Sequence, residues 1–274
     1  MVDLPLAING STRIMGVIGD PIAQVMTPTA INPIFAARGE NIVCVPINID
    51  ARELDTAWAG LKTLKNLIGF GITLPHKQAA LPLCDSLDPL AERVGAVNLV
   101  RRETDGSFKG YQFDGKGFVR GLKRQGHVVS GRHCLMAGAG GAAIAIAFAL
   151  AEEGAASLII ANRTRQKAEE LAEAVNRAAG RSFARAEMSG ETHTASGLIV
   201  INATSLGLSA NDPQPFDASL IDETMLVAEV IAKPEVTPLL EAARTRGAQI
   251  HSGIHMIHGQ IDLIAAHMAA KHGC

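Results

Sequence analysis

Cysteine is scarce in this chain and nowhere paired. Cys44, Cys84, Cys134 and Cys274 stand far apart, without the close spacing of a redox or metal motif. That argues against a disulfide framework and for a reduced compartment, the cytoplasm. The first residues, Met1-Val-Asp-Leu-Pro-Leu6, have neither a basic region nor a long apolar segment, so no secretory leader is expected. An excess of one charge is also missing. The formal net charge is -2 over 274 residues, which gives no electrostatic reason to expect nucleic acid or an anionic membrane as partner. Long hydrophobic runs are absent as well. The nearest, Leu135 to Ala151, is broken by Gly138, Gly140 and Gly141 and falls short of the roughly 20 residues a membrane span needs.

What the chain does have is a hydrophobic fraction of 47% and enough length for two domains or one large one. Its front half alternates strand and helix signals. Arg13–Ile18 reads as a strand ending in the turn Gly19-Asp20-Pro21. Thr27-Pro28 then reads as a cap and first helical residue, opening a helix through Ala37. Asn41–Pro46 is a second strand, Leu54–Leu64 a helix, and Leu67–Thr73 a third strand stopped by Pro75. The pattern βαβαβ implies a mostly parallel sheet. The polar stretch from Arg101 to Gly110 reads as a hairpin turn between short strands. Asp114 caps a helix that ends near Gln125-Gly126.

The most informative stretch is His133 to Thr164. An apolar run, His133–Ala137, meets the cluster Gly138-Ala-Gly140-Gly141-Ala142-Ala143. An alanine-rich helix follows, then the strand Ser157–Ala161 and the tip Asn162-Arg163-Thr164. Strand, glycine turn, helix and strand form the first unit of a dinucleotide-binding sheet. The glycines let backbone N–H groups approach a pyrophosphate, and the helix N-terminus adds a favourable dipole. An acid at the tip would hold the ribose hydroxyl of NAD. Here Asn162, Arg163, Arg165 and Lys167 stand instead, which favours the 2′-phosphate of NADP. Further strands are expected at Gly197–Asn202 and Met225–Ile231, and a helix from Ile254 to Lys271 that folds back on the front domain. The expected layout is α/β in two domains. Residues 1–113 plus 250–274 form a substrate-binding domain with a mostly parallel sheet, and 114–249 form a Rossmann-like NADP-binding domain.

Two clusters carry candidate chemistry. In Gly71-Ile-Thr-Leu-Pro-His-Lys77 a strand ends at a proline and a lysine follows, where ligands of open α/β sheets bind. Taken alone, Lys77 reads more readily as a solvated lysine at a helix start. In Gly110-Tyr-Gln-Phe-Asp114, the aspartate reads as a helix cap that can also accept a bond from an ammonium group. Asn98 is a third polar residue ending an apolar run. His251, His255 and His258 are spaced to share a helix face, without an acidic or cysteine partner that would suggest a metal site.

Taken together, these blocks are similar to the shikimate dehydrogenase family over nearly the whole chain. The matching stretches are Gly19–Ile22 with Thr27-Pro28 and Asn32, Thr73–Lys77, Gly95–Asn98, Asp114, Gly138–Ala143 and Asn162–Thr164. Asn202–Ser205 with Gly207, Pro234 with Thr237–Leu240, and Gly253 with Met256 and Gln260 complete the set. The resemblance implies reversible oxidation of a ring secondary alcohol by NADP, in aromatic amino acid biosynthesis. It implies Lys77 and Asp114 as the catalytic pair. Thr27, Thr73, Asn98 and Gln260 would bind a cyclic hydroxy-acid substrate. Gly138, Gly140, Gly141, Ala142, Asn162, Arg163, Thr164, Lys167, Thr204 and Ser205 would line the cofactor. No metal is implied, and a monomer or homodimer is expected.

The chain also departs from the family. The Ser-x-Ser-Pro motif that holds the substrate carboxylate is represented by Val25 and Thr27, which keeps one hydroxyl. A hydrogen bond to a charged group contributes roughly 1.5–3 kcal/mol. Gly71 stands for an asparagine, Ala232 for a tyrosine, and Gln112-Phe113 for Asn-Thr. Two further readings follow: a paralogue acting on quinate or another larger cyclic alcohol, and a cofactor-binding regulatory protein with vestigial catalysis. The cofactor assignment has a direct check. Arg163→Ala should weaken NADP binding much more than NAD binding, because only NADP carries the 2′-phosphate; equal losses in a titration of both would contradict it.

Overall fold

In the computed structural model, residues 8–189, 196–209 and 211–270 are described. Met1–Leu6, Lys271 and Cys274 lie outside them. The chain divides into two compact units, Met1–Phe113 with Ile261–Cys274, and Asp114–Gln260.

The first unit contains β1 (Arg13–Gly19), α1 (Thr27–Ala37), β2 (Ile42–Asn48), α2 (Leu54–Thr63) and β3 (Leu67–Ile72). These are followed by β4 (Ser86–Leu87), α3 (Pro89–Val94), β5 (Leu99–Arg102) and β6 (Phe108–Tyr111). The strand order is β2-β1-β3-β5-β6-β4. β1 pairs in parallel with β2 and β3, while β5 pairs antiparallel with β3 and β6, so the expected hairpin is present. β1 shows why this sheet is covered on both faces. Ile14 and Ile18 join Leu54 and Trp58 of α2 on one face; Met15 and Val17 join Ile31 and Phe35 of α1 on the other. On the α2 face, Trp58, Phe70 and Phe108 pack edge to face at 5.0–5.8 Å between centroids. The helix of α1 begins at Thr27 itself, with Met26 at the capping position and no side-chain cap.

The second unit contains α4 (Asp114–Arg124), β7 (His133–Ala137), α5 (Gly141–Glu152), β8 (Ser157–Asn162), α6 (Arg165–Ala179) and β9 (Ala184–Met188). It continues with β10 (Ile199–Asn202), β11 (Leu226–Glu229), α7 (Pro238–Thr245), β12 (Gln249–His251) and the start of α8 (Ile254–Ala269). All six strands are parallel, in the order β12-β11-β10-β7-β8-β9. This is the order of the doubly wound dinucleotide-binding fold, with its switch point between β7 and β10. The apolar stretch Leu135–Ala151 is thus β7, a glycine turn and α5. α5 is buried over most of its surface, with Gly115 of α4 so close that a Cβ there would meet the Ala145 carbonyl oxygen. No helix among the described residues is long and apolar enough to cross a membrane.

α8 is shared. Its last turns place Ile261, Ile264, Ala265 and Met268 in the α1-side core of the first unit, at the spacing of one helical face. Its first turns belong to the second unit, where Gly259 lies so close to Gly117 of α4 that a Cβ would meet the Gly117 carbonyl oxygen. The return to the first unit therefore falls within α8 rather than at residue 250, because Gln249–His251 is an edge strand of the second sheet.

The histidines correct another expectation: His251 ends β12, so only His255 and His258 lie on the helix. His251 is fully buried, and neither ring nitrogen has a hydrogen-bond partner. Burial pushes its pKa down to about 3, helped by His255 and His127. Between its ordinary value of about 6.5 and that lowered one, the unfolded chain binds a proton that the folded chain refuses. Stability is therefore complete above about pH 6.5 and falls on acidification, by up to about 1.4 kcal/mol per pH unit for this group. His251→Leu should flatten the fall in melting temperature between about pH 6.5 and about pH 5. An unchanged slope would mean that His251 does not fold as a buried neutral ring.

Candidate active site

In the first unit, the site residues gather where β3 ends and β5 begins. Thr73 follows β3, and its N–H donates to the Ile18 carbonyl at 2.9 Å. Asp20 N–H donates to the Leu74 carbonyl at 2.9 Å, which ties the turn after β1 to the turn after β3. A Cβ on Gly19 would meet Thr73 Cγ2 at 2.5 Å, so the glycine permits this approach. His76 is buried, and its Nε2 lies 2.7 Å from the Ile49 carbonyl oxygen. That contact anchors the residue next to Lys77. The Lys77 carbonyl accepts from Val97 N–H at 2.9 Å, while its side chain is half-buried.

Asn98 completes this cluster. Its carbonyl accepts from Ile72 N–H at 2.8 Å, which sets it beside the end of β3. Its side chain is buried, and Oδ1 accepts from Phe113 N–H at 2.8 Å. Thr73, Lys77 and Asn98 thus lie at the end of the sheet where β3 stops and β5 starts. Thr27 begins α1 after the loop that carries Ile22 and Val25, both packed against the α1-side core. Asn32 docks α1 on β2 by bonding both the N–H and the carbonyl of Cys44, at 2.7 and 3.0 Å. Gly71 has no positive φ, and a Cβ there would make only ordinary contacts, the nearest 3.7 Å from Val17 Cγ2.

In the second unit, Asp114 occupies the first position of α4 rather than the cap before it, and it is buried. Gln260, on α8, packs its Cβ against Gly117 of that helix. The glycine turn lies at the C-terminal end of β7, beside the switch point. Gly138 has φ of +112°, and a Cβ there would meet the Ala203 carbonyl oxygen at 2.9 Å and Thr204 Cγ2 at 3.2 Å. Gly138 therefore brings the glycine turn against the Ala203–Thr204 loop. Gly140, at the cap of α5, is exposed with open space where a side chain would be. Gly141 and Ala142 open the helix, and its first turn carries no acid. The first N–H groups of a helix have no partner within it, so this bare turn fits a pyrophosphate. At the end of β8, Asn162 Nδ2 donates to the Thr164 carbonyl at 2.9 Å. Arg163, Thr164, Arg165 and Lys167 are exposed there. Arg165 pairs with Glu169 at 2.8 Å. No carboxylate stands in the tip itself, so the donor set fits a phosphate on the ribose better than a bare hydroxyl.

The loop after β10 shows a feature that sequence reasoning missed. Asn202 is wholly buried and its Oδ1 accepts from both Thr204 N–H and Thr204 Oγ1, at 3.0 and 2.6 Å. Behind it stands Glu229, at the end of the neighbouring strand β11. The only available signal was one acid inside the apolar run Met225–Ile231.

Comparisons with known proteins agree with this geometry. Residues 17–100 match the family described as the shikimate dehydrogenase substrate binding domain, and residues 122–208 match that of shikimate / quinate 5-dehydrogenase. The chain is 41% identical over 242 residues to a shikimate dehydrogenase (NADP(+)) of Rubrobacter xylanophilus, covering 88% of this chain and 84% of that one. The structure of shikimate dehydrogenase from Aquifex aeolicus is similar with a TM-score of 0.83 at 32% identity, covering 95% of this chain and 94% of that one. A 5-ketofructose reductase of Gluconobacter is similar with a TM-score of 0.79 at 31% identity, covering 94% of this chain and 92% of that one.

Proposed function

The chain belongs to the shikimate dehydrogenase family, and on that premise we propose that it is an NADP-dependent oxidoreductase interconverting shikimate and 3-dehydroshikimate. The observation that carries this reading is the grouping of Thr73, Lys77 and Asn98 where β3 ends and β5 begins. In the proposed assignment the first unit binds the substrate and the second binds NADP. When bound, NADP supplies the acceptor for the hydride that leaves the carbinol carbon. The Lys77 amine takes the hydroxyl proton as the C–O bond becomes a carbonyl, and returns it in the reverse direction. Asp114 orients the amine and stabilises its ammonium form. Thr27, Thr73, Asn98 and Gln260 hold the ring, and the exposed Arg163 takes the 2′-phosphate. A regulatory role without catalysis is disfavoured, because cofactor binding needs neither Lys77 nor Asp114. The free thiols Cys44, Cys84 and Cys134, all pushed up to about 12 by burial, suit a reducing compartment such as the cytoplasm. A monomer or homodimer is the assembly we propose.

A second reading rests on Val25 and Gly71. Val25 presents an apolar side chain where the family has a hydroxyl, and Gly71 carries no side chain where the family has an asparagine. Both suit a polyhydroxylated ketone without a carboxylate, or a larger ring such as quinate. The likeness to a ketofructose reductase points the same way. Val25→Ser separates the readings. If shikimate is poorly held, the substitution should lower its KM about tenfold, one added hydrogen bond to a charged group. An unchanged or raised KM in steady-state assays would mean that Val25 does not limit carboxylate binding.

Lys77→Ala should reduce turnover about 100-fold or more on whichever cyclic hydroxy acid or ketose the wild type turns over, with a smaller change in KM. Asp114→Asn should also slow turnover, and the double mutant should lose less than the product of the single losses. Near-normal turnover by Lys77→Ala would remove Lys77 from the chemistry.

A further inference from the structure

Glu229 closes β11, is wholly buried, and has no part in the proton or hydride path. Its Oε2 accepts from Asn202 Nδ2 at 2.8 Å and its Oε1 accepts from Thr237 Oγ1 at 2.7 Å. Burial raises its pKa to about 7, against the opposing pull of those two donors. Thr237 is the cap of α7, where its hydroxyl also accepts from Leu240 N–H at 3.3 Å. Asn202 Nδ2 makes a second bond, to the Leu206 carbonyl at 2.9 Å. Thr204 Oγ1 in turn accepts from Leu206 N–H at 3.0 Å. One amide thus holds both ends of the Thr204–Leu206 turn, and one carboxyl holds that amide.

We infer that Glu229 is a positioning residue for cofactor binding, acting by fixing the orientation of the Asn202 amide. The inference rests on the reading that Thr204 and Ser205 line the cofactor. A primary amide can sit in two orientations that exchange its oxygen and its NH2 group. Only one of them donates to the Leu206 carbonyl while accepting from Thr204. Above about pH 7 the carboxyl is ionised and only accepts, so it then admits only the NH2 end of Asn202. The flipped amide would set its oxygen against the carboxylate, out of reach of water. The bond to an ionised acceptor is also stronger than a neutral one. Capping of α7 needs only Thr237, and a buried carboxyl is a poor stabiliser for its own sake. The arrangement makes sense if the shape of the turn is what must be held. Gly138 lies against the same loop, so the turn forms one wall beside the glycine loop.

The test measures direct NADP binding together with kcat, the KM for shikimate and the melting temperature. Glutamine can present either end to Asn202, so Glu229→Gln should raise the Kd for NADP about five- to tenfold, leaving kcat at saturating NADP within about twofold. Asn202→Ala should raise the Kd at least as much, and it carries the test if Glu229→Gln does not fold. In the Asn202→Ala background Glu229→Gln should add nothing, since it acts through that amide. Thr237→Val, which removes the cap and the bond to Glu229 Oε1 but leaves Oε2 on Asn202, should lower the melting temperature with the Kd within about twofold of wild type. Loss of thermal stability in Glu229→Gln with an unchanged Kd would make Glu229 merely structural and overturn the inference. So would a Thr237→Val effect on the Kd as large as that of Glu229→Gln. Ser205→Glu tests the underlying reading, because a carboxylate in the loop should repel the cofactor phosphates. A Kd raised by Ser205→Glu but not by Glu229→Gln removes the inference and keeps the reading. No change in either removes both.

Discussion

The parallel hydrogen bonds that hold β1 between β2 and β3, and β7 between β8 and β10, constrain where chemistry sits in each unit. Parallel neighbours cannot be joined by a tight hairpin, so the chain must cross a face of the sheet between them. Each crossing begins at a C-terminal strand end, where the polar backbone is released into a loop. Thr73 and Lys77 follow β3, Gly138 follows β7, Asn162 ends β8 and Asn202 ends β10. The antiparallel hairpin obeys the same geometry from the other direction. β5 runs back along β3, so Asn98, just before its start, lands beside the end of β3.

That constraint also decides what could be read from the chain. β7, α5 and β8 were legible because a glycine cluster between two apolar runs has few physical interpretations. β1 and β3 were legible because strands buried on both faces are continuously apolar. β9 was not, since Ala184-Arg-Ala-Glu-Met188 is short, polar at alternate positions, and sits at a sheet edge. β12 was hidden for a similar reason: Gln249-Ile-His251 has a single aliphatic side chain. The Asn202–Glu229–Thr237 network spans three elements and its geometry has no periodic signature. Only Glu229, an acid within an apolar strand, hinted at it.

Glu229 and His251 make an instructive contrast, because their strands are neighbours and Ala228 pairs with His251. Both are wholly buried, and burial shifts both toward their neutral forms. Glu229 has two hydrogen-bond partners that lead to the loop at the end of β10. His251 has none, packing against the rings of Phe118, His127 and His255. A buried polar group with its partners in place can transmit a geometry; one without them contributes a stability cost that depends on pH.

Lys77 and Val25, the residues proposed for proton transfer and for substrate discrimination, stand on different segments of the first unit. Lys77 follows β3 and is held by the Val97 N–H and by the anchoring of His76. Val25 belongs to the loop before α1 and packs with Ile22 on the α1-side core. On the proposed assignment, a change from hydroxyl to valine there alters substrate recognition without touching the bonds that hold the lysine turn. Gly71, on β3 itself, removes a side chain from the family's pattern at a position where a Cβ would make only ordinary contacts. On the proposed assignment, reaction type and substrate are therefore separable: proton transfer rests on backbone bonds at the end of β3, and specificity on side chains that can change one at a time.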